Sequence, residues 1–258
     1  PFASPACARV CLYTAGKGGM PATIAKAPMH SRLARTRLWF EDRPAYWAKL
    51  IFGIAKHRRR AYKLGMIPAV RLNGTSDINW EAMRVETSWA SPSLRIAVSS
   101  AISNGITPDP RLGLVGGTSI MHLFPDVRFY DYTKWPYSRR PIESLPANYD
   151  LTFSRSETND TEALHNLHNG RRVAVVFDTK PGESPPATYT AADGSIWPVV
   201  DGDKSDLRFL DPASSIVALH AKGKARGDDS GFVVKVRPTP EKLEQNFQAR
   251  MERLGIVL

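Results

Sequence analysis

The sequence contains few cysteines, no long apolar run and almost no acidic residues in its first quarter. Its 258 residues include only two cysteines, Cys7 and Cys11, which are too few and too closely spaced for the disulfide framework of a small secreted protein. No stretch reaches the roughly 18 apolar residues of a membrane helix, and no charged segment followed by an apolar one marks a secretory leader. We therefore expect a soluble, intracellular protein with no membrane partner.

Charge is distributed unevenly along the chain. Lys and Arg total 35 and Asp and Glu total 25, but residues 1–65 hold 13 of the basic residues and only two acids, Glu41 and Asp42. The net charge of this segment is +11, whereas that of the remaining chain is −1. With 42% hydrophobic and 23% charged residues, the composition is typical of a folded protein and excludes a disordered tail or a coiled coil.

Strand-like and helix-like runs alternate over most of the chain. Residues 1–42 are rich in Pro, Gly, Ala and Arg, which predicts an irregular leader packed on the rest of the protein. Strands are predicted over residues 67–73, 127–132, 149–154, 172–178, 196–200, 216–222 and 231–236. Helices are predicted over residues 44–65, 94–102, 161–169 and 240–254, with a short helical turn at 137–144.

This alternation is typical of parallel β/α units. We predict an α/β protein in which residues 1–258 form a single TIM-barrel-like domain, as a complete or distorted β/α barrel. A doubly wound sheet is the alternative.

Polar residues follow the predicted strands, at the edge where parallel β/α folds build their sites. The candidates for residues around a catalytic site are Arg71, Asn73, Asp77, Asp131 and Lys134. Asp201, Asp203 and Lys222 are secondary candidates. The alternative for any one of them is an ordinary polar loop, because strand ends generally run into such loops.

The two cysteines are one helical turn apart, a spacing at which two thiolates can reach one metal centre. Nearby arginines lower thiol pKa values, and nearby glycines free backbone amides to hydrogen-bond cluster sulfides. An iron–sulfur or zinc site is one interpretation, and buried thiols or a disulfide are the other. A cysteine directly ahead of Pro1 would give a three-thiolate run, Cys-Pro-x5-Cys-x3-Cys.

Several motifs together resemble a family of bacteriophage-encoded proteins that carry an N-terminal cysteine cluster on a TIM-barrel-like body. The motifs are the segment Pro-Phe-x4-Cys-x3-Cys-x3-Ala-Gly at residues 1–16, the basic helix, and residues 70–78, 126–134, 201–203 and 206–211. The resemblance implies a [4Fe–4S] cluster with Cys7 and Cys11 among its ligands, and a further cysteine ahead of Pro1. It also implies a location in the cytoplasm of the infected host cell.

Radical S-adenosylmethionine enzymes are a more distant relation, because they also place a cluster at the mouth of a β/α barrel. The third cysteine of their motif would fall at position 14, which is Thr14 here. The leading hypothesis is a phage protein that binds the cluster at one barrel mouth. It either carries out redox or radical chemistry on an unidentified small molecule or only carries the cluster.

The basic first quarter supports a second hypothesis. Four cations of the helix over residues 44–65 fall within about 60° of one another at ~100° per residue. They are Lys49, Lys56, Arg60 and Lys63. Such a face can match nucleic-acid phosphates, which suggests a nucleic-acid-binding protein or a nuclease whose acids chelate a divalent metal. A solvated helix face and a cluster-free structural protein are the remaining alternatives.

Overall fold

The computed structural model describes residues 2–11, 20, 28–85, 92, 96, 119–180, 182–236 and 248. The described strands are β1 Ala69–Arg71, β2 Arg128–Thr133, β3 Tyr149–Ser154, β4 Val173–Phe177, β5 Thr188–Thr190, β6 Ile196–Asp201, β7 Ile216–His220 and β8 Val233–Val234. The described helices are α1 Pro5–Arg9, α2 Pro28–Glu41, α3 Arg43–Lys63, α4 Ile120–Leu123 and α5 Asp160–His168. The helices predicted over 94–102 and 240–254 lie outside the described residues, apart from residues 96 and 248.

The eight described strands form one mostly parallel sheet, in which seven follow the order β1-β2-β3-β4-β7-β6-β5 and β8 pairs with β4. The β5–β6 pair is antiparallel, and the other pairs are parallel. One edge of β4 is shared, because Val173 and Ala174 pair with β3, whereas Val176 and Phe177 pair with β8. The predicted parallel α/β fold is confirmed, and closure of the sheet into a barrel stays a prediction.

Helix α3 supplies the larger apolar core. Asp42 caps the helix, since its carboxylate accepts the Ala45 N–H at 2.9 Å. Trp47, Ile51 and Ile54 recur at helical spacing and are buried in a cluster with residues of β2 and β3. Burying such side chains stabilises the fold by roughly 1.5–3 kcal/mol each.

The prediction of an irregular leader is wrong for residues 28–41, which form α2. This helix buries none of its residues, so its sequence carries little apolar periodicity. It is held instead by ring contacts outside the helix: Trp39 lies edge-on to Tyr46 of α3 at 5.0 Å, and to Trp80, in the segment after β1, at 5.5 Å between ring centroids. Tertiary packing therefore forms a helix that the local pattern does not indicate.

Helix α5 covers the other half of the sheet. Ala163 and Leu167 pack with Phe153, Val175 and Ile216 in a second apolar cluster. Within the described ranges, none of the helices is both long and apolar enough to cross a membrane.

Candidate functional site

A cavity of about 530 Å³ opens at the carboxyl ends of the parallel strands. Strands β1, β2, β3, β4 and β7 each contribute to its wall through residues near their carboxyl ends: Arg71, Tyr132, Ser154, Val176, Leu219 and His220. The turn that follows β6 adds residues 202–206. This is the edge at which parallel β/α proteins bind their ligands, so the cavity is the candidate functional site.

Helix α1 brings both cysteines to this cavity. Ser4 caps the helix by accepting the Cys7 N–H at 3.2 Å, and Pro5 is its first residue. Cys7 lies within the helix and Cys11 lies two residues beyond its end. Both are half-buried, neither forms a disulfide, and both line the cavity. The two cysteines and the residues at the strand ends therefore line the same cavity.

Two acids that the sequence pattern did not single out hold α1 in position. Glu157 accepts hydrogen bonds from the Ser4 hydroxyl at 2.7 Å and from the Ala6 N–H at 3.2 Å. Asp228 is 3.1 Å from Arg9 Nη2. Burial opposes its ionisation, but hydrogen bonds from Ser230, the Val233 N–H and Arg9 keep the pKa of Asp228 below its usual value.

Lys134 is the charged group most closely coupled to Cys7. Its ammonium donates to the carbonyl and hydroxyl oxygens of Ser154, each at 2.9 Å. Burial raises the pKa of the Cys7 thiol, while the charge of Lys134 and a hydrogen bond with it act in the opposite direction and do not overcome burial. Burial also lowers the pKa of Lys134. The cation is therefore placed to stabilise a thiolate that burial disfavours.

Cations and acids are matched around the rest of the cavity. Arg71 lies 3.3 Å from Asp206 and stacks over the Tyr132 ring at 4.6 Å. Lys222 pairs with Asp203, which also accepts the His220 N–H at 2.8 Å.

These partners affect how Asp203 ionises. Burial raises its pKa, but the hydrogen bonds and charges of Lys222 and His220 outweigh burial and lower the pKa overall. The cavity can thus meet a ligand that carries groups of either sign.

Asn73 and Asp131 lie in a buried network rather than in the cavity lining. The Asn73 N–H donates to Asp131 at 2.6 Å, and the Asn73 side-chain oxygen accepts from the Ile78 N–H at 3.1 Å and from Trp80 Nε1 at 3.0 Å. Burial raises the pKa of Asp131 to about 7, although the Asn73 and Tyr149 hydrogen bonds lower it. These contacts fix the loop that follows β1.

Asp77 positions Lys134 from the same loop. One carboxylate oxygen of Asp77 accepts the Lys134 N–H at 2.6 Å, and the other lies 3.3 Å from Arg140. Arg140 is fully buried and makes two further hydrogen bonds to Glu81, at 2.6 and 2.7 Å. Of the five candidates for residues around a catalytic site, Arg71 lines the cavity, whereas Asn73, Asp77, Asp131 and Lys134 are not among its lining residues.

Sequence reasoning did not include among the site candidates several groups that the fold brings to the cavity, namely Gly74, Thr75, Lys204, Asp206 and His220. Lys204 and Asp206 follow a strand end within the predicted loop, so their position could have been inferred. His220 is within β7, and only the observed end of that strand places it at the cavity.

The described residues include only part of the ligand set that a metal or cluster would need. Among residues that the structure describes, no group of three or more His, Cys, Asp or Glu side chains is arranged to hold a metal ion. Cys7 and Cys11 both line the cavity and could supply two soft ligands to a metal or an iron–sulfur cluster.

The basic face of α3 is a second feature, separate from the cavity lining. Lys49, Lys56, Arg60 and Lys63 are all exposed. Arg58 points the other way, since it is buried and pairs with Asp126 at 2.5 Å. Basic residues of α3 therefore divide between a structural ion pair and an open surface.

The family model described as Gene product 88 matches residues 1–236. No curated protein and no solved structure matches the chain.

Proposed function

Since the chain belongs to the Gene product 88 family, we propose that it is a phage protein that binds a [4Fe–4S] cluster in the cavity at the carboxyl edge of the sheet. Cys7 and Cys11 are two of the ligands in this proposal. The observation that carries it is that the only two cysteines of the chain line the same cavity as the ends of five parallel strands.

The surroundings of the thiols suit an anionic group. A cluster with thiolate ligands carries negative charge, and Lys134 beside Cys7 offsets part of it. Arg71 and Lys222 also line the cavity, and each is paired there with an acid, Asp206 and Asp203 respectively. A bound cluster would supply one-electron transfer, and the charge of Lys134 would favour the ionised form of the Cys7 ligand.

The number of ligands sets a requirement on the proposal. A [4Fe–4S] cluster takes four ligands, or three with one iron open. Since the described residues complete no three-ligand group, at least one further ligand is required from elsewhere.

The size of the cavity leaves room for a substrate. Its volume of about 530 Å³ lies within the usual range for sites that bind small molecules. In this proposal a small molecule lies between the cysteines and the Arg71–Asp206 side, where redox or radical chemistry would take place in the host cytoplasm.

A barrel-like arrangement of the sheet is part of the same proposal. Arg71, at the end of β1, contacts Asp206 in the turn between β6 and β7, and Tyr130 of β2 also donates to Asp206 at 3.3 Å. These contacts join strands from opposite ends of the sheet order, which supports a strongly curled sheet.

Anaerobic purification of the complete gene product, followed by absorption spectroscopy and iron and sulfide analysis, tests the proposal. We expect a coloured protein with close to four irons and four sulfides per chain, as the cluster formula requires. Cys7→Ser and Cys11→Ser should each lower the iron content, whereas Thr75→Ser, a matched change in the same wall, should not. A colourless protein with a folded circular dichroism spectrum, or one that holds zinc instead of iron, overturns the proposal.

A further inference from the structure

We propose that the outer face of α3, with the groove beside it, binds single-stranded nucleic acid. The binding surface has three parts. They are the basic stripe formed by Lys49, Lys56, Arg60 and Lys63, a groove between α2, α3 and β1, and the exposed ring of Phe52. This surface is distinct from the cysteine cavity, and the inference does not depend on a cluster.

The basic stripe is positive and is not neutralised locally. All four side chains are exposed, and none joins an ion pair in the part of the chain that the structure describes. The first 65 residues contain two acids, of which Glu41 ends α2 and Asp42 caps the start of α3. Neither belongs to α3 itself. Lys49 and Lys63 are separated by about 21 Å along the helix, enough to follow several phosphates of a strand.

The groove lies along one side of the basic stripe. It has a volume of about 430 Å³, an apolar floor that includes Leu50, Ile54 and Val70, and a rim that includes Arg35 and Lys49. A planar base can enter such a groove while the cationic rim contacts its phosphate. A lipid surface gains nothing from a groove of this kind.

Phe52 lies on the opposite side of the basic stripe, and 56% of its surface is exposed. An exposed aromatic ring beside cations is the arrangement on which single-stranded nucleic acids stack their bases. In a duplex the bases are paired and stacked on one another, so neither Phe52 nor the groove can reach a base face. The combination of features therefore favours a single strand over a duplex.

Gly53 provides a way to block the groove without removing charge. It lines the groove, and a Cβ added to it would meet no atom within 4 Å. The first carbon of the side chain in Gly53→Leu consequently meets no clash, and leucine is also the better helix former. This variant should fold at least as well as the wild type.

Fluorescence anisotropy with labelled oligo-dT and oligo-U, a duplex of equal length and anionic phosphatidylglycerol vesicles tests the inference. We expect single strands to bind at least about tenfold more tightly than the duplex, because base stacking adds to the phosphate contacts. The slope of log K against log salt should be about −2.8, since each of four phosphates contributes about −0.7.

Variants separate the parts of the surface. Lys49→Ala with Lys56→Ala should reduce the slope by about 1.4, whereas the matched pair Lys180→Ala with Lys235→Ala, also exposed, should leave it unchanged. Gly53→Leu and Phe52→Ala should each weaken single-strand binding about tenfold with an unchanged slope.

Three results overturn the inference: no binding at low salt, equal affinity for the duplex or the vesicles, and equal losses in the two lysine pairs. Cys7→Ser should bind oligonucleotides like the wild type, so failure of the cluster proposal and failure of this one are distinguishable.

Discussion

The Tyr149 hydroxyl donates a hydrogen bond of 2.9 Å to the carboxylate of Asp131. Both residues are buried, and they lie on the adjacent strands β3 and β2. Asp131 also accepts the Asn73 N–H, so one carboxylate of β2 links the start of β3 to the loop that follows β1. A residue predicted to surround a catalytic site thus has a clear part in holding the fold.

The first prediction concerns the pH dependence of stability at Asp131. Burial raises its pKa to about 7, whereas an unfolded Asp has a pKa of about 3.9. Between these values the folded state holds a proton that the unfolded state has lost. This contribution to the free energy of unfolding is therefore complete below about pH 4 and is lost as pH rises through about 7, by up to ~1.4 kcal/mol per pH unit.

Asp131→Asn removes the titration and keeps an oxygen for the Asn73 N–H. Urea unfolding of both proteins across this range should show a stability difference that changes with pH and becomes constant above about 7. Asp131→Leu should be less stable than Asp131→Asn at every pH by about 1–3 kcal/mol, since a buried N–H loses its acceptor. A difference between wild type and Asp131→Asn that is independent of pH contradicts the prediction.

The second prediction concerns the buried ion pair of Arg140 and Glu81. Arg140 has no exposed side-chain surface, and Glu81 is 11% exposed. Arg140→Met should destabilise the protein by about 3–5 kcal/mol, because it leaves a carboxylate buried without its partner. The double variant Arg140→Met with Glu81→Gln should recover part of the loss, and guanidinium unfolding measures both. Strictly additive losses would show that the pair is not coupled.

Patterns along the sequence located the strands of the sheet well, because buried parallel strands are short apolar runs bounded by turn residues. The strand predicted over 149–154 matches β3, and the run at 172–178 contains β4. The pattern missed β5, whose three residues Thr-Tyr-Thr are stabilised by the antiparallel partner β6 rather than by an apolar run.

The site was predictable in part for a physical reason. Parallel strands carry the residues that follow them to one edge, which is why Arg71, Asp203 and Lys222 could be placed there together. The two-residue alternation of side chains along a strand does not reveal whether a polar side chain faces a cavity or joins a buried hydrogen-bond network. The roles of Asp131 and Asn73 could be assigned only from the structure, because no sequence pattern indicates that they form hydrogen bonds with the buried side chains of Tyr149 and Trp80.

The third prediction compares two glycines. A Cβ on Gly202 would lie 2.5 Å from Val217 Cγ1 and 2.8 Å from the Ala218 carbonyl oxygen, so Gly202→Ala forces the turn after β6 away from β7. We expect a loss of about 1–3 kcal/mol, typical of overpacking. Gly53→Ala is the matched control in open space and should stabilise the helix by about 0.5–1 kcal/mol. Thermal unfolding of both variants gives the test, and equal effects contradict it.

The last prediction uses the reactivity of Cys7 to measure its coupling to Lys134. The thiolate is the form that reacts with iodoacetamide, so the rate of alkylation should rise with pH and its midpoint should report the thiol pKa. Because burial raises the pKa of Cys7, this midpoint should lie above that of an ordinary cysteine. Lys134 opposes this shift through its charge and a hydrogen bond. Lys134→Met should therefore move the midpoint still higher and slow alkylation at neutral pH.

Lys134→Arg retains the positive charge and should give a midpoint between those of the wild type and Lys134→Met. Mass spectrometry of the metal-free protein reads Cys7 and Cys11 separately in the same sample. An equal shift for Lys134→Met and Lys134→Arg would attribute the effect to lost packing or to the Ser154 hydrogen bonds instead of charge. A midpoint that falls in Lys134→Met would contradict the coupling, because removal of a cation cannot favour the thiolate.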